Sequence, residues 1–253
     1  MSTINEAASL LVQARNSHQA VPAAEAELPD AAAAYAVQQA VGDSLGWFDG
    51  DRVARFWKSG GASREAVLTH APLPPAGVWA SPADARHWPF RLRGIEAEIA
   101  LRLARDVNPA FASTLDHATA ATLIDAMCVS IEIVDSRWIE GLQASAIAKL
   151  ADLQSHGALV LGAWVPFRTL DWSAQPCRVQ IGAQALVERR GTHSLADPCF
   201  LLPAWLRHAT RNGDVIAAGT VVTTGTWVGI LTALAGDLVS AEFPGIGSAS
   251  VQL

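Results

Sequence analysis

The sequence predicts an α+β fold in which a mixed, rolled β-sheet follows a small helical N-terminal region. Apolar residues recur at helical spacing over most of the first fifty residues, whereas two later stretches are apolar at every second position, as in half-buried strands. Beyond residue 157, short apolar segments and glycine turns are interrupted by one helical segment rather than alternating with helices. This order is typical of α+β folds.

The composition limits the class of protein. With 253 residues, 51% of them hydrophobic and 17% charged, the chain has the composition of a compact globular protein. A net charge of -6 argues against a nucleic-acid or anionic-membrane partner. The N-terminus lacks the basic-then-apolar order of a signal peptide, and three cysteines without CxxC spacing indicate free thiols. We therefore expect a cytoplasmic protein.

Two helices are predicted at the N-terminus, over residues 3–20 and 30–46. Apolar residues recur in both at helical spacing, and the prolines at 22 and 29 separate them. Asp30 stands at the N-cap position of the second helix. We expect both helices to pack rather than to take part in chemistry.

A short strand over residues 53–58 ends at Lys58, directly before the glycine-containing loop 59–63. Side chains at such strand ends often have a function, although a lysine that only extends its amine into solvent is the commoner case. The proline-rich residues 68–89 that follow predict an irregular crossing or lid.

The predicted strand 95–103 carries two glutamates on one face. Because side chains two residues apart in a strand point to the same side, Glu96 and Glu98 form a pair. Two carboxylates this close raise each other's pKa unless a positive charge lies between them. A divalent cation is the obvious candidate.

A second alternating stretch, residues 129–133, presents one further acid, Glu132, in the same way. Three carboxylates without a nearby cysteine or histidine suit Mg²⁺ or Mn²⁺ better than Zn²⁺. Spacing alone leaves an alternative open, in which these acids are solvated on the open face of an antiparallel sheet, each near an arginine such as Arg102.

The remaining elements follow from the same patterns of apolar residues. Three more helices are predicted, over residues 113–128, 138–151 and 197–211. Strands are predicted over residues 158–161, 178–181 and 184–189, and short apolar strands alternate with glycine turns from residue 213 to the C-terminus.

Five segments carry a family likeness in their order and spacing. They are Gly94-Ile-Glu-Ala-Glu-Ile, Ile131-Glu-Ile-Val-Asp-Ser-Arg, residues 152–157, Gly213-Asp-Val with Thr223-Thr-Gly-Thr, and Phe243-Pro-Gly-Ile-Gly-Ser-Ala-Ser-Val. The set resembles the fumarylacetoacetate hydrolase superfamily, nearest its branch of 2-keto-4-pentenoate hydratases and 4-oxalocrotonate decarboxylases. The resemblance covers nearly the whole chain. It implies a rolled sheet of the type found in that family's C-terminal domain, with a helical N-terminal region and first strand over residues 1–75 and a catalytic β-roll domain over residues 76–253.

The resemblance also implies a metal site. In that family a Glu-x-Glu pair and a glutamate from the following strand hold Mg²⁺ or Mn²⁺, and these positions match Glu96, Glu98 and Glu132. A lysine at the end of the first strand lies in the active site of the family, and Lys58 matches it.

Three stretches depart from the family pattern. After the lysine, the family's Ile-Gly-Leu-Thr-Ser is replaced by residues 59–63. The family's Pro-Asp-Phe-Gly, in which the aspartate is a candidate acid or base, is replaced by residues 74–77, and Pro75 stands in place of the aspartate. The family's Asp-Asn-x-Ser turn has become residues 152–155, followed by His156.

We therefore assign proton transfer to Lys58, with a pKa lowered by burial beside a metal, and to His156 or His70 in place of the missing aspartate. The polar side chains expected to hydrogen-bond the substrate carboxylate are Gln154, Ser155, Thr224 and Thr226. For the two threonines, ordinary strand surface is the alternative.

The resemblance implies a metal-dependent hydratase that adds water to a small 2-oxo-enoate in aromatic-compound catabolism, of the type that converts 2-hydroxypenta-2,4-dienoate to 4-hydroxy-2-oxopentanoate. A 4-oxalocrotonate-type decarboxylase or a C–C hydrolase of acylpyruvates is an alternative, favoured if arginines such as Arg55 and Arg64 lie near Lys58. A catalytically silent relative is another. We expect a small 2-oxo acid as ligand and a homo-oligomer, because nine tryptophans provide material for a buried interface.

Overall fold

A computed structural model describes residues 3–48 and 53–253. Within these ranges the α-helices are α1 Thr3–Ser17, α2 Ala31–Ser44, α3 Pro109–Thr114, α4 His117–Ala121, α5 Ala146–Ala151 and α6 Leu202–Ala209. Short 3₁₀ turns cover Ala23–Glu25, Pro75–Gly77, Gly141–Gln143 and Pro198–Leu201. None of these described helices has the length and apolar character that a membrane span requires.

The described strands form two sheets. They are β1 Phe56–Gly60, β2 Thr69–Pro72, β3 Val78–Ala80, β4 Ala83–Asp84, β5 Gly94–Leu103, β6 Ile124–Val134, β7 His156–Leu161, β8 Val165–Pro166, β9 Pro176–Ile181, β10 Val187–Arg190, β11 Val221–Thr223, β12 Leu231–Thr232, β13 Leu238–Phe243 and β14 Gly247–Gln252. The larger sheet has the order β2-β1-β11-β5-β6-β7-β3, with β12 added to β5 and β8 to β6. The smaller sheet has the order β10-β9-β13-β14-β4.

Both sheets are mixed. In the larger one β1 runs parallel to β11 and β3 parallel to β7, while the long central pair β5 and β6 is antiparallel. The inner faces of the two sheets share one core, in which Ile95 and Val129 of the larger sheet lie with Phe243 and Val251 of the smaller sheet. The prediction of an α+β fold around a mixed, curled sheet is thereby confirmed.

The N-terminal helices form a separate apolar cluster. Helices α1 and α2 pack with α5 and with Trp138, and the buried apolar residues of both helices are alanine, leucine and valine. Asp30 caps α2 as predicted, since its carboxylate accepts a hydrogen bond from the backbone N–H of Ala33 at 2.8 Å. Strand β1 belongs to the large sheet. The predicted domain boundary near residue 75 therefore stays a proposal.

The predicted helix over residues 113–128 is wrong. The structure has the short helices α3 and α4 there, and from Ile124 onward the chain is the first half of strand β6. Ten of the eleven residues of β6 are buried, so both of its faces are covered and the alternation that marks a half-buried strand is lost. Alanine, leucine and methionine in this stretch then gave a false helical pattern.

The proline-rich residues 68–89 are also more regular than predicted. Strand β2 pairs with β1, β3 pairs with β7, and β4 pairs with β14 of the smaller sheet. This segment therefore connects the two sheets by edge pairing. It is not a free lid.

Candidate metal centre

The three predicted glutamates meet at the centre of the large sheet. In the antiparallel register of β5 and β6, Glu96 lies directly opposite Glu132, and Glu98 lies opposite Ser130. One carboxylate oxygen from each glutamate falls within 4.8 Å of those of the other two. The acids are therefore not spread over a solvated face, and the alternative of an open surface is wrong.

Burial strengthens the electrostatic repulsion among these three carboxylates. The exposed fraction is 2% for Glu98 and 0% for Glu132. Burial, then the charges of Glu132 and Glu98, raises the pKa of Glu96 to about 8. Burial, then the charge of Glu132, raises the pKa of Glu98 to about 7. A divalent cation would relieve this repulsion, and one atom of the cluster, Oε2 of Glu132, is buried with no hydrogen-bond partner among the described residues. The donor set fits a hard cation.

Glu98 is held in place by residues that sequence reasoning missed. Its Oε2 accepts hydrogen bonds from the hydroxyl of Thr223 and, at 3.0 Å, from the backbone N–H of Gly225. The hydroxyl of Thr223 also lies 2.9 Å from that of Ser130. Ser130 and Thr223 face the carboxylates from neighbouring strands. The only signal for them in the sequence is a hydroxyl inside an otherwise apolar strand.

Lys58 reaches the cluster across the sheet. Its Nζ lies 2.5 Å from Oε1 of Glu132 and 3.3 Å from the carbonyl oxygen of Gln154. Strands β1 and β6 are three positions apart, which in a flat sheet is roughly 14 Å from spacings of about 4.8 Å. The ion pair therefore depends on the curl of the sheet.

The pKa of Lys58 is raised, not lowered. Burial acts to lower it, but the charges of Glu132, Glu96 and Glu98 outweigh burial. The expectation of a lowered pKa did not count the carboxylates that the fold brings to the amine. The three carboxylates therefore favour the protonated form of Lys58.

His156 lies behind Glu132 and not in the cavity wall. Its Nδ1 is 3.0 Å from Oε1 of Glu132, and the residue is only 1% exposed. Burial lowers its pKa, with the hydrogen bond to Glu132 acting in the opposite sense. This contact places His156 where it can position Glu132, and its predicted role in proton transfer stays a prediction. His70 is also buried and turns away from the carboxylates, with its Nδ1 2.8 Å from the hydroxyl of Ser59.

A cavity of about 540 Å³ opens in front of the carboxylates. The predicted site residues on its wall are Lys58, Glu96, Glu98, Gln154, Ser155 and Thr226. Three consecutive residues, 153–155, have positive φ angles of 51° to 59°, a conformation that costs a non-glycine residue about 1–3 kcal/mol. This turn presents Gln154 and Ser155, whose Oε1 and Oγ atoms are buried without a described partner, to the metal end of the cavity.

Other predicted site residues lie elsewhere. The hydroxyl of Thr224 donates to the carbonyl oxygen of Ile99 at 2.7 Å in the sheet interior, and Thr224 does not line the cavity. Arg55 donates to the carbonyl of Ala218, and Arg64 to that of Leu195. Neither arginine lines the cavity, and exposed Pro75 does not line it either.

The sequence matches the fumarylacetoacetate (FAA) hydrolase C-terminal family over residues 65–253, three quarters of the chain. The chain belongs to the fumarylacetoacetate hydrolase family. Among curated relatives, the 2-keto-4-pentenoate hydratase of Paraburkholderia phymatum is 31% identical, with 97% of this chain and 95% of the relative covered. The 2-keto-4-pentenoate hydratase of Burkholderia vietnamiensis is 32% identical, with 87% and 84% covered. The family likeness read from the five motifs is thus confirmed.

Solved structures share this fold. The 4-oxalocrotonate decarboxylase from Pseudomonas putida G7, complexed with magnesium and adipate, superposes with a TM-score of 0.81 at 18% identity and covers 99% of this chain and 96% of its own. The same enzyme complexed with calcium and acetate gives the same TM-score at 19% identity, covering 100% of this chain and 98% of its own. At such identities the likeness establishes the fold.

Proposed function

We propose that this chain is a divalent-metal-dependent hydro-lyase that converts 2-hydroxypenta-2,4-dienoate to 4-hydroxy-2-oxopentanoate in aromatic-compound catabolism. The observation that carries the proposal is the meeting of Glu96, Glu98, Glu132 and Lys58 at a cavity of about 540 Å³. Two relatives that match most of the chain are named 2-keto-4-pentenoate hydratase, which supports the same reaction class.

Glu96, Glu98 and Glu132 would hold the cation, for which we propose Mg²⁺ or Mn²⁺. Bound there, it would supply Lewis acidity toward the carboxylate and carbonyl oxygens of a 2-oxo acid. Thr223 and the N–H of Gly225 orient Glu98, while His156 and Lys58 orient Glu132. These contacts leave Oε2 of Glu132 available.

Lys58 carries one proton in each half of the reaction. Protonated in its ion pair with Glu132, it donates a proton to C5 of the dienol, and the enol proton passes to solvent water, which completes ketonisation to the 2-oxo-3-enoate. The neutral amine then accepts a proton from the water that adds at C4, and solvent water returns a proton to C3. The hydroxyl of Ser155 donates to the substrate carboxylate, which gives its buried Oγ a partner.

The ultraviolet band of 2-hydroxypenta-2,4-dienoate provides the test. We expect the wild-type protein to remove the band only when Mg²⁺ or Mn²⁺ is present, and Lys58→Ala to slow the loss by about 10²–10⁴-fold. Because Lys58→Ala leaves Glu132 without its ion pair, Lys58→Gln is compared alongside, and metal affinity is measured for each variant. If wild-type protein that binds the ion leaves the band unchanged, the hydratase proposal is wrong.

We also propose a homo-oligomer in the cytoplasm. Large apolar side chains are exposed at one end of the smaller sheet, where Leu234, Leu238 and Leu186 are 54–67% exposed. The N–H of Gly182 bonds to the carbonyl of Leu238, which places the β9–β10 turn beside the start of β13. Multi-angle light scattering would test the assembly, with Leu234→Glu and Leu238→Glu expected to weaken it.

A further inference from the structure

A second cavity lies between the N-terminal helices and the large sheet. The walls of this arginine cleft, which has a volume of about 290 Å³, include the end of α1, the residues after α2, residues 135–137 after β6, and Gly157 of β7. Among the described residues it shares no lining residue with the cavity in front of the carboxylates. Val134 lines that cavity, and the next residue, Asp135, lines the arginine cleft. The cleft is therefore separate from the candidate metal centre.

Guanidinium groups outnumber carboxylates around the arginine cleft. Arg15, Arg91 and Arg137 line it, and Asp135 is the one acid among its described lining residues. The carboxylate of Asp135 accepts hydrogen bonds from two backbone N–H groups, at 3.3 and 2.8 Å. Buried Asp152 accepts from both Arg15, at 3.1 Å, and Arg137, at 2.6 Å. Three guanidinium groups thus face two carboxylates, which leaves one positive charge without a counter-charge among the described residues.

Arg15 is only partly neutralised by the protein. Its Nη2 donates to Asp152, whereas its Nη1 and its buried Nε have no hydrogen-bond partner among the described residues. Burial, then the charge of Arg137, lowers the pKa of Arg15 to about 9, and the charges of Asp152 and Asp135 do not offset this. A negative group bound in the cleft would compensate the charge of this guanidinium.

Two tryptophans add an aromatic wall to the arginine cleft. Trp47 and Trp88 line it and are both half-buried. The guanidinium carbon of Arg15 lies 4.9 Å from the centre of the Trp47 ring, so the cationic and aromatic groups adjoin. Indole rings pack well against another flat ring. A volume of about 290 Å³ is at the small end of ligand sites, which limits the ligand to a single-ring compound.

We propose that the arginine cleft binds a small aromatic monocarboxylate, a single ring that carries one carboxylate group. The carboxylate accepts hydrogen bonds from Arg15, with Arg91 on the same wall, and the ring packs against Trp47 and Trp88. One carboxylate matches the one uncompensated positive charge. The proposal is independent of the hydratase reaction, because the metal ligands belong to the other cavity.

Calorimetry on the full-length protein in the presence of Mg²⁺ tests the proposal. The probes are benzoate, benzyl alcohol, which keeps the ring without the charge, and acetate, which keeps the charge without the ring. The wild type is expected to bind benzoate about tenfold more tightly than either. Arg15→Met should weaken benzoate binding about tenfold, and Trp47→Leu about threefold. Arg105→Met removes an exposed arginine that lies over the ring of Phe111, and this matched control should bind as the wild type does.

Glu98→Gln separates the two cavities. It removes a charge at the metal end and changes no residue of the arginine cleft, so benzoate affinity should equal that of the wild type. If Glu98→Gln weakens benzoate binding as much as Arg15→Met does, benzoate binds at the metal centre and the proposal is wrong. This comparison needs no turnover, so failure of the hydratase proposal would not decide it.

Further outcomes would also overturn the proposal. They are undetectable benzoate binding by the wild type, equal binding of benzoate by Arg15→Met and the wild type, and inorganic phosphate that binds as tightly as benzoate, which would indicate recognition of charge alone. Because Arg15→Met also breaks the ion pair with Asp152, thermal unfolding is measured for each variant. Arg91→Gln, at an exposed arginine on the same wall, is a second variant and should weaken benzoate binding about threefold.

Discussion

The three glutamates of the candidate metal centre differ in their hydrogen-bond partners. Glu98 is fixed by Thr223 and Gly225, and Glu132 by Lys58 and His156, while Glu96 has no side-chain hydrogen bond among the described residues. Glu96 is also the acid whose pKa is raised furthest, to about 8. We infer that Glu98 and Glu132 form the fixed part of the site and that Glu96 adjusts to the cation.

Removing the charge of Glu98 tests the metal centre. Glu98→Gln keeps the shape and the contact with Thr223 but removes a negative donor, so Mn²⁺ affinity should fall about 10–100-fold. Isothermal titration calorimetry or Mn²⁺ electron paramagnetic resonance measures it. Glu242→Gln, which changes an exposed acid on β13, is the matched control and should bind as the wild type does. Undiminished affinity in Glu98→Gln would rule out Glu98 as a ligand.

His156 acts through Glu132, which gives a second prediction. Residues that hydrogen-bond to metal ligands typically contribute about 10–100-fold to metal affinity or activity, and His156→Ala should weaken Mn²⁺ binding by about tenfold. His70→Asn alters another buried histidine that has no described contact with the carboxylates, and should leave the affinity unchanged. If His156→Ala slows turnover while metal affinity is intact, His156 takes part in proton transfer as first predicted.

At the scale of single residues, the sequence identified the three carboxylates of the candidate metal centre but not the side chains that contact them. Glu96, Glu98 and Glu132 stand out because a carboxylate inside an apolar strand requires an explanation. Ser130 and Thr223 do not stand out, since a hydroxyl is tolerated on many strand faces.

At the scale of elements, the site depends on how β6 and β7 pair. Gly157 lies next to His156 at a register shift between these strands, with Ile133 and Asp135 of the β6 side against it. A Cβ on Gly157 would lie 2.6 Å from the carbonyl oxygen of Ile133 and 2.8 Å from Cβ of Asp135. Only glycine permits this approach of the two backbones.

Gly157→Ala is therefore expected to force β6 and β7 apart beside Glu132. The free energy of unfolding, measured by urea denaturation, should fall by about 1–3 kcal/mol, as for other overpacked sites, and Mn²⁺ affinity should fall with it. Gly60→Ala is the matched control, because the atom nearest to its added Cβ is 4.0 Å away. Equal stability of the two variants would show that the strands adjust without cost.

The predictability of an element depended on whether polar residues mark its period. Strand β5 was found within one residue of its start because Glu96, Glu98 and Arg102 alternate with apolar residues. The first half of β6 was mistaken for a helix because the fold covers both of its faces, which no local pattern reports. The prolines of residues 68–89 indicated irregular chain, yet edge strands accept proline where no ladder hydrogen bond is lost.

At the scale of the whole molecule, a histidine pair lies where the N-terminal helices meet the large sheet. The rings of His70 on β2 and His208 on α6 are 4.8 Å apart, and the ring of His208 is 4.3 Å from that of Tyr35 on α2. Arg211 stacks on Tyr35, and Ser59 of β1 lies against His70. No described carboxylate forms an ion pair with either histidine, so burial, followed by the neighbouring cations, lowers the pKa of each to about 3.

This pair should make folding stability fall with acidity. The unfolded histidines have pKa values near 6.5, so between pH 6.5 and 3 the unfolded chain binds more protons than the folded chain, and stability present above pH 6.5 is lost as the pH falls. The free energy of unfolding changes by at most about 1.4 kcal/mol per pH unit for His70 and by less for the more exposed His208.

Urea unfolding at pH 7.5 and 5.0 should therefore show that the wild-type protein loses roughly 2 kcal/mol more free energy of unfolding than the double variant His70→Asn/His208→Phe. Comparing the two proteins cancels the opposite titration of Glu96 and Glu98, and His87→Asn, an exposed histidine, should follow the wild type. Equal losses in wild type and double variant would mean that protonation of the pair is accommodated without unfolding.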